Sequence, residues 1–346
     1  MAYSTIPKGS LYMNPKIYTG TGSSNAITGV GFQPDWTWIK RRNGTNGHNL
    51  YDVIRGVTKT INSATTAAES TSGSGLTAFG TDGFTVVSDG DVNGSGGTYA
   101  SWNWLANGAG SANTAGSINS TVSANTTSGF SIVSYTGNGG STPKTVGHGL
   151  GVAPKMIIIK PRNLTYDWMT YNENVGATKG MCLNTTQAPF TSSNFNDTAP
   201  TTSVFSVKNN ATNETNGTYI AYCFADVQGF SKMGSYTGNA NANGPFVYTG
   251  FKPSFVIIKR TNLANDWLTQ DNKRYPINET VAKTLKPNSA LAEGDTGNLD
   301  ILSNGFKLRS TGTNTNASGG TYIYMAFAEN PFVATSGTSA IPVTAR

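Results

Sequence analysis

Three groupings of side chains in this sequence could do chemistry. The first is Asp89-Gly90-Asp91-Val92-Asn93-Gly94, whose alternating oxygen donors and sixth-position glycine match the opening half of a calcium loop. Its twelfth position is Ala100, where such a loop needs a bidentate glutamate, so a hairpin loop is the favoured reading, with an ion held by Asp89, Asp91 and Asn93 as the open alternative. The second is Asp167-Trp168 with Asp266-Trp267, where a tryptophan face beside a carboxylate could grip a sugar. Leu50 takes the same slot near the start of the chain, and a position that accepts Leu or Trp is expected in a core. The third is the scattered set of nucleophiles, bases and acids. His48 and His148 are the only histidines and lie in non-equivalent places, away from any Cys or acid cluster with metal-ligand spacing. Gly73-Ser74-Gly75 and Gly94-Ser95-Gly96-Gly97 read as loop punctuation, not a nucleophile elbow. Glu69, Glu173, Glu279 and Glu293 fall in apparent loops, not on facing strands as a glycosidase pair would. The expectation is therefore no catalytic residue, no metal site, no cofactor and no enzyme activity, with binding residues unassigned.

Charge adds little. Twenty-four basic and 18 acidic residues give a formal net charge of +6, but Lys40-Arg41-Arg42 is the only basic run and is too short for a nucleic-acid patch. Net charge of this size permits a weak attraction to anionic polymers. Cys182 and Cys223 have no counterparts elsewhere in the chain, which points to buried free thiols. Met1 to Gly20 holds no apolar signal region, and the longest apolar strand run, Met156 to Ile159, is too short for a bilayer. Synthesis in a cytoplasm, with no membrane insertion and release by lysis or within a particle, is expected.

The elements that must carry these residues are announced by a recurring order of motifs. Tyr-Thr-Gly turns at Tyr18, Tyr135 and Tyr236 lead to Gly-x-x-Pro steps ending at Pro34, Pro154 and Pro253, spaced by 120 and 99 residues. Apolar strands follow, ending at Lys40, Lys160 and Lys259, and Gly-Thr-Tyr triplets at Tyr99, Tyr219 and Tyr322 open the closing strands. Forty-one glycines, 12% charged and 10% aromatic residues suit short strands joined by tight turns. The pattern predicts an all-β protein of three tandem β-sandwich units, jelly-roll or lectin-like. The expected division is a docking arm at 1–17, units at 18–106, 129–230 and 231–332, a Gly/Ser/Asn-rich linker at 107–128 and a tail at 333–346. Thr60 to Glu69 is the best helix candidate, at most a turn or two. In the closing strands the larger residues alternate from Ala100, Ile220 and Ile323, so that face should point into the core.

The motifs Tyr135-Thr136-Gly137-Asn138-Gly139, Gly31-Phe32-Gln33-Pro34-Asp35-Trp36, Asp82-Gly83-Phe84, Asn93-Gly94-Ser95-Gly96-Gly97-Thr98-Tyr99 and Ser318-Gly319-Gly320-Thr321-Tyr322 resemble a repeat module of tailed-bacteriophage virion proteins, notably tail fibre-like proteins of marine and cyanobacterial phages. The resemblance spans Tyr18 to Phe332. It implies a virion component: a tail fibre or receptor-binding subunit first, a capsid decoration, head fibre or tail-assembly protein as the alternative, and a polysaccharide-degrading enzyme well behind. It also implies other virion proteins and a host surface glycan or protein as partners. Closed symmetry among fibre and decoration proteins suggests a homotrimer.

Overall fold

The computed structural model describes residues 4–139, 142–274, 283–336 and 339–342. It is almost wholly β, in antiparallel sheets. Three large sheets share one strand order. In the first, the opening strand Met13–Thr19 pairs with the closing strand Thr98–Trp104, which pairs with the proline-led strand Trp36–Arg41 and then the return strand Asn49–Asp52. The second repeats this with Phe130–Thr136, Thr218–Phe224, Met156–Pro161 and Met169–Asn172. The third does so with Ser231–Thr237, Thr321–Pro331, Phe251–Arg260 and Trp267–Asp271. Register is matched as well as order, because Trp104, Phe224 and Phe327 each lie opposite the first core residue of the proline-led strand: Trp36, Met156 and Phe255.

The proline-led strands are apolar on both faces because both are covered: in the first and second sheets each face meets a different core, while in the third Phe255, Val256, Ile257 and Ile258 all join the shared one. In the first sheet Ile39, Tyr51 and Tyr99 pack with Ile27, Leu76, Phe84 and Val86 of a small sheet, giving a local sandwich. Phe205 and Val207 cover the corresponding face of the second sheet. The opposite faces, carrying Trp36, Trp102, Phe224, Phe255 and Phe327, meet in one core drawn from all three large sheets. At its centre the rings of Trp104, Phe224 and Phe327 form a triangle with centroid separations of 6.5, 5.9 and 5.7 Å. The larger closing-strand residues thus face a core shared between sheets.

Four expectations need correction. The boundary between the docking arm and the first unit does not fall at 17/18: the opening strand starts at Met13, and Ile6 and Met13 are buried in the shared core, so the described residues of this segment dock on the body of the chain. Gly9 lies so close to Ala328 that an added Cβ would sit 2.0 Å from its carbonyl oxygen. The segment 107–128 is not merely a linker. Ser111–Asn113 and Ser120–Asn125 form strands that extend the second sheet beyond Phe130–Thr136, their small residues alternating with buried Val122. Thr60 to Glu69 holds no helix: Lys59–Asn62 is a strand, followed by a loop that reaches the second sheet through Glu69 N–H to the Arg162 carbonyl at 2.7 Å. Of the tail, Val333–Ser336 and Ser339–Pro342 pair as a hairpin.

Candidate functional site: buried charge at the sheet junctions

The residues flagged for chemistry are mostly spent on architecture. Asp89 caps the short helix Gly90–Asn93 by accepting from Asp91 N–H at 2.9 Å, and its other oxygen accepts from Ser72 Oγ at 3.1 Å. Asp91 accepts from Asn46 Nδ2. Asn93 is fully buried and ties the loop to the Tyr-Thr-Gly turn, accepting from Thr21 N–H and donating to the Ser23 carbonyl. Asn213 and Asn316 make the same tie to Asn138 and Asn239. Beside each tie two tyrosines stack: Tyr18 on Tyr99, Tyr135 on Tyr219 and Tyr236 on Tyr322, at 5.1, 4.9 and 5.0 Å.

Trp168 and Trp267 are fully buried, so neither presents a face to a sugar. Each donates its indole N–H across a junction: Trp168 to the Asn62 carbonyl of the first sheet, Trp267 to the Cys182 carbonyl of the second, both at 3.0 Å. Register assigns the corresponding place in the first sheet to His48, not Leu50, because Asn49, Met169 and Leu268 stand opposite Ile39, Ile159 and Ile258. His48 Nδ1 accepts from Trp38 Nε1 at 2.8 Å, which leaves the proton on Nε2, turned loosely toward the Lys286 backbone. Burial, with Lys40 and Arg274 nearby, holds its pKa well below the ordinary value. His148 is also buried, with Nδ1 accepting from Leu150 N–H at 3.2 Å. Cys182 and Cys223 are buried free thiols, and burial pushes Cys182 up to about 12. Glu279 lies outside the described residues.

The largest concentration of buried charge sits where sheets meet. Asp52, at the end of the first return strand, accepts from Arg55 Nε at 2.5 Å and from the Tyr222 hydroxyl of the second sheet at 2.8 Å. Arg55 also reaches Glu69 at 3.4 Å, and Glu69 binds Arg162 of the second sheet at 3.0 Å. The same constellation joins the third sheet to the first. Asp271 accepts from Arg274 Nε at 2.6 Å and from Trp102 Nε1 at 2.8 Å. Glu293 bridges Arg274 and Arg42, both at 2.9 Å. The side chains of Asp52, Arg55 and Arg274 are fully removed from solvent and that of Asp271 nearly so. Burial alone would depress the Arg55 guanidinium, but Asp52, Tyr222 and Glu69 outweigh it and raise its pKa. Burial would likewise raise Asp271, yet Arg274 and the Trp102 N–H hold it below the usual carboxylate range. Such pairs persist out of water only when every lone pair and proton is matched, and here each carboxylate is.

Between the second and third sheets the set is absent. By register and backbone bonding, Asn172, Val175, Pro189, Thr261 and Met325 occupy the places of Asp52, Arg55, Glu69, Arg162 and Tyr222. The sequence reading missed this constellation. The available signal was Asp-x-x-Arg recurring after the first and third return strands, with an Arg-Asn pair beginning two residues after Lys40 and Lys160.

Three buried lysines complete the junctions. Lys160 Nζ donates to the Thr66 and Tyr166 carbonyls at 2.8 and 2.7 Å, the first belonging to the neighbouring sheet's loop. Lys259 Nζ reaches Thr186 across its own junction at 2.8 Å. Lys40 Nζ instead donates to Arg41 and Gly44 carbonyls of its own loop. Burial lowers all three to about 8.

Residues 8–331 match the model of the family described as Domain of unknown function (DUF7483), and the chain belongs to that family. No curated protein and no solved structure matches it.

Proposed function

We propose that the protein is a structural subunit of a tailed-phage particle and acts there as a tail fibre or receptor-binding knob. The reading is carried by one observation: the residues that recur along the chain are spent on architecture, fastening loops and turns within each unit, while buried charge joins neighbouring sheets. Asn93, Asn213 and Asn316 fasten loops, the paired tyrosines stack beneath them, and the junction charges face inward. Such a body suits a rigid platform that displays loops, since loops bind best when a scaffold holds them. The ordered motif resemblance to virion modules supports the same reading.

Other virion proteins and a host surface glycan or protein are the partners this role requires. The opening strands Met13–Thr19 and Ser231–Thr237 end their sheets, and such edges are commonly covered in an assembly, which supports a homotrimer. Purified particles, separated by gel and probed with antibody to this chain, test the proposal. A few copies per particle in multiples of three, together with blockade of host adsorption by the free protein, support the adhesive role. Hundreds of copies point to capsid decoration, and absence from particles overturns the proposal.

A further inference from the structure

We propose that the cleft between the opening strand of the first sheet and the third sheet binds an acidic polysaccharide through its sulfate or carboxylate groups. The cleft encloses about 400 Å³, within the size range of small-ligand sites. Lys8 and Ser10, which precede the opening strand, supply part of its wall.

Its lining is cationic and rich in amides and hydroxyls. Lys8, Lys16 and Lys273 contribute three ammonium groups. Among the described residues Glu329 is the one acid of the lining, and Lys252 pairs with it at 2.8 Å. Asp82 lies near Lys16, but its oxygens accept from the Gly29 and Gly31 N–H groups at 2.8 and 2.7 Å. A concave surface with a net excess of one charge sign, here four lysines against Glu329 and Asp82, concentrates its field on a bound anion. Asn14, Asn272 and Asn330 also line the cleft; Asn14 Nδ2 already donates to the Val30 carbonyl at 2.8 Å and Asn272 Oδ1 is buried, so Asn330 and the Asn272 amide nitrogen are the groups left for sugar hydroxyls. Among the described residues no aromatic side chain lines the cleft, which sets it apart from the stacking platforms that single-stranded nucleic acid uses. That combination selects an anionic, hydroxyl-bearing chain. The binding rests on the cleft alone, while its meaning as host recognition rests on the adhesion reading above.

The test compares the intact protein with two triple variants of equal charge: Lys8→Gln/Lys16→Gln/Lys273→Gln in the cleft and Lys144→Gln/Lys179→Gln/Lys208→Gln elsewhere. Probes are a heparin octasaccharide, a polygalacturonate oligomer, neutral dextran, inorganic sulfate and a single-stranded DNA oligomer, titrated calorimetrically in 0.15 M salt, where the screening length is about 8 Å. The cleft variant should bind the acidic oligosaccharides about tenfold more weakly while the control changes less than about twofold, as a focused rather than a diffuse field requires. Thermal melting shows whether the cleft variant keeps its fold, and the three single Lys→Gln changes, each expected to weaken binding, replace it if it does not. Equal losses in both variants overturn the proposal, as does binding of neutral dextran or DNA as tight as that of the acidic sugars, or inorganic sulfate accounting for the whole affinity. A protein that binds these sugars yet is missing from particles refutes the virion role and leaves the cleft assignment standing. One found in particles that binds none of them does the reverse.

Discussion

Where the first sheet meets the second, a guanidinium, two carboxylates and a phenol meet out of water, and the junction of third and first repeats this with Asp271, Arg274, Glu293 and an indole. The junction of second and third uses Asn172, Val175 and Met325 at the corresponding places, with Val175 packed against the shared apolar core. The backbone frame is the same in all three. Charge is therefore not needed to close a junction, and its effect differs from that of apolar packing. An ion pair that is fully matched contributes little more than well-packed apolar side chains would, but it penalises every partial match severely. The two charged junctions are thus selective for their own partners, while the apolar one tolerates sliding and substitution. A chain with three similar sheets gains from that difference, because a mispaired sheet would strand Arg55 or Arg274 without its carboxylates.

The comparison breaks most sharply by removing one charge. Arg274→Met leaves Asp271 and Glu293 buried beside a thioether, and Arg55→Met does the same to Asp52. Either should lower unfolding free energy in urea by about 3–5 kcal/mol. Val175→Ala, at the corresponding place, should cost about 1 kcal/mol through lost apolar contact. Equal losses at the three positions would refute the distinction between charged and apolar junctions.

Acid separates the junctions next. Asp271 has a folded pKa held below the ordinary value, so it contributes stability that is complete above the unfolded carboxylate pKa of about 3.9 and is lost as pH falls through the lower folded value. Urea midpoints measured from pH 6 down to pH 2 should fall less steeply in Asp271→Asn/Arg274→Met than in the parent. A double variant with the parent's acid slope would place that sensitivity elsewhere.

Removing a whole set sharpens the argument. Asp52→Asn, Arg55→Met, Glu69→Gln and Tyr222→Phe together remove the buried cluster and leave Arg162, which is partly exposed, and Lys160, whose ammonium is held by the Thr66 and Tyr166 carbonyls. Neutral replacement of a complete buried cluster is often close to neutral in stability, so the quadruple variant should lie within about 2 kcal/mol of the parent and above Arg55→Met alone. If it is the less stable of the two, geometry and not unmatched charge governs the junction.

How far the sequence disclosed these features follows from the range of the interactions. Strands and the all-β class were legible because short apolar runs and Gly-x-x-Pro turns are local, as at Gly151 to Ile159. Asn93 could be mistaken for an ion ligand because a short polar loop looks alike whether its oxygens face a cation or the Thr21 amide. The slot of Trp168 was matched to Leu50 although His48 stands eight residues after Lys40, as Trp168 stands eight after Lys160, and pairing register gives the same assignment. The recurring Asp-x-x-Arg was in the sequence, but which residues it meets was not, because Asp52 and Tyr222 lie 170 residues apart. The Gly/Ser-rich composition of 107–128 concealed strands that owe their order to the sheet beside them, a tertiary effect that overrides propensity.

The smallest expected effect concerns the lysines and cuts across the comparison. Lys160 and Lys259 each bind a carbonyl of the preceding sheet's loop, one at a charged junction and one at the apolar junction, whereas Lys40 stays with its own loop. All three have folded pKa values near 8, below the free-lysine value of about 10.4, so the folded state binds fewer protons than the unfolded chain between those values. Stability should accordingly rise as pH is raised from 8 toward 10, before unfolded tyrosines begin to ionise and reverse the trend, because burial raises Tyr171 to about 12 in the folded chain. Thermal midpoints across this window measure it. Lys259→Met should flatten the rise and also cost the one charged contact made across the apolar junction, while Lys40→Met should flatten it without loosening any junction. If Lys40→Met destabilised the protein at pH 7 as much as Lys259→Met does, reach across the junction would not be what distinguishes them.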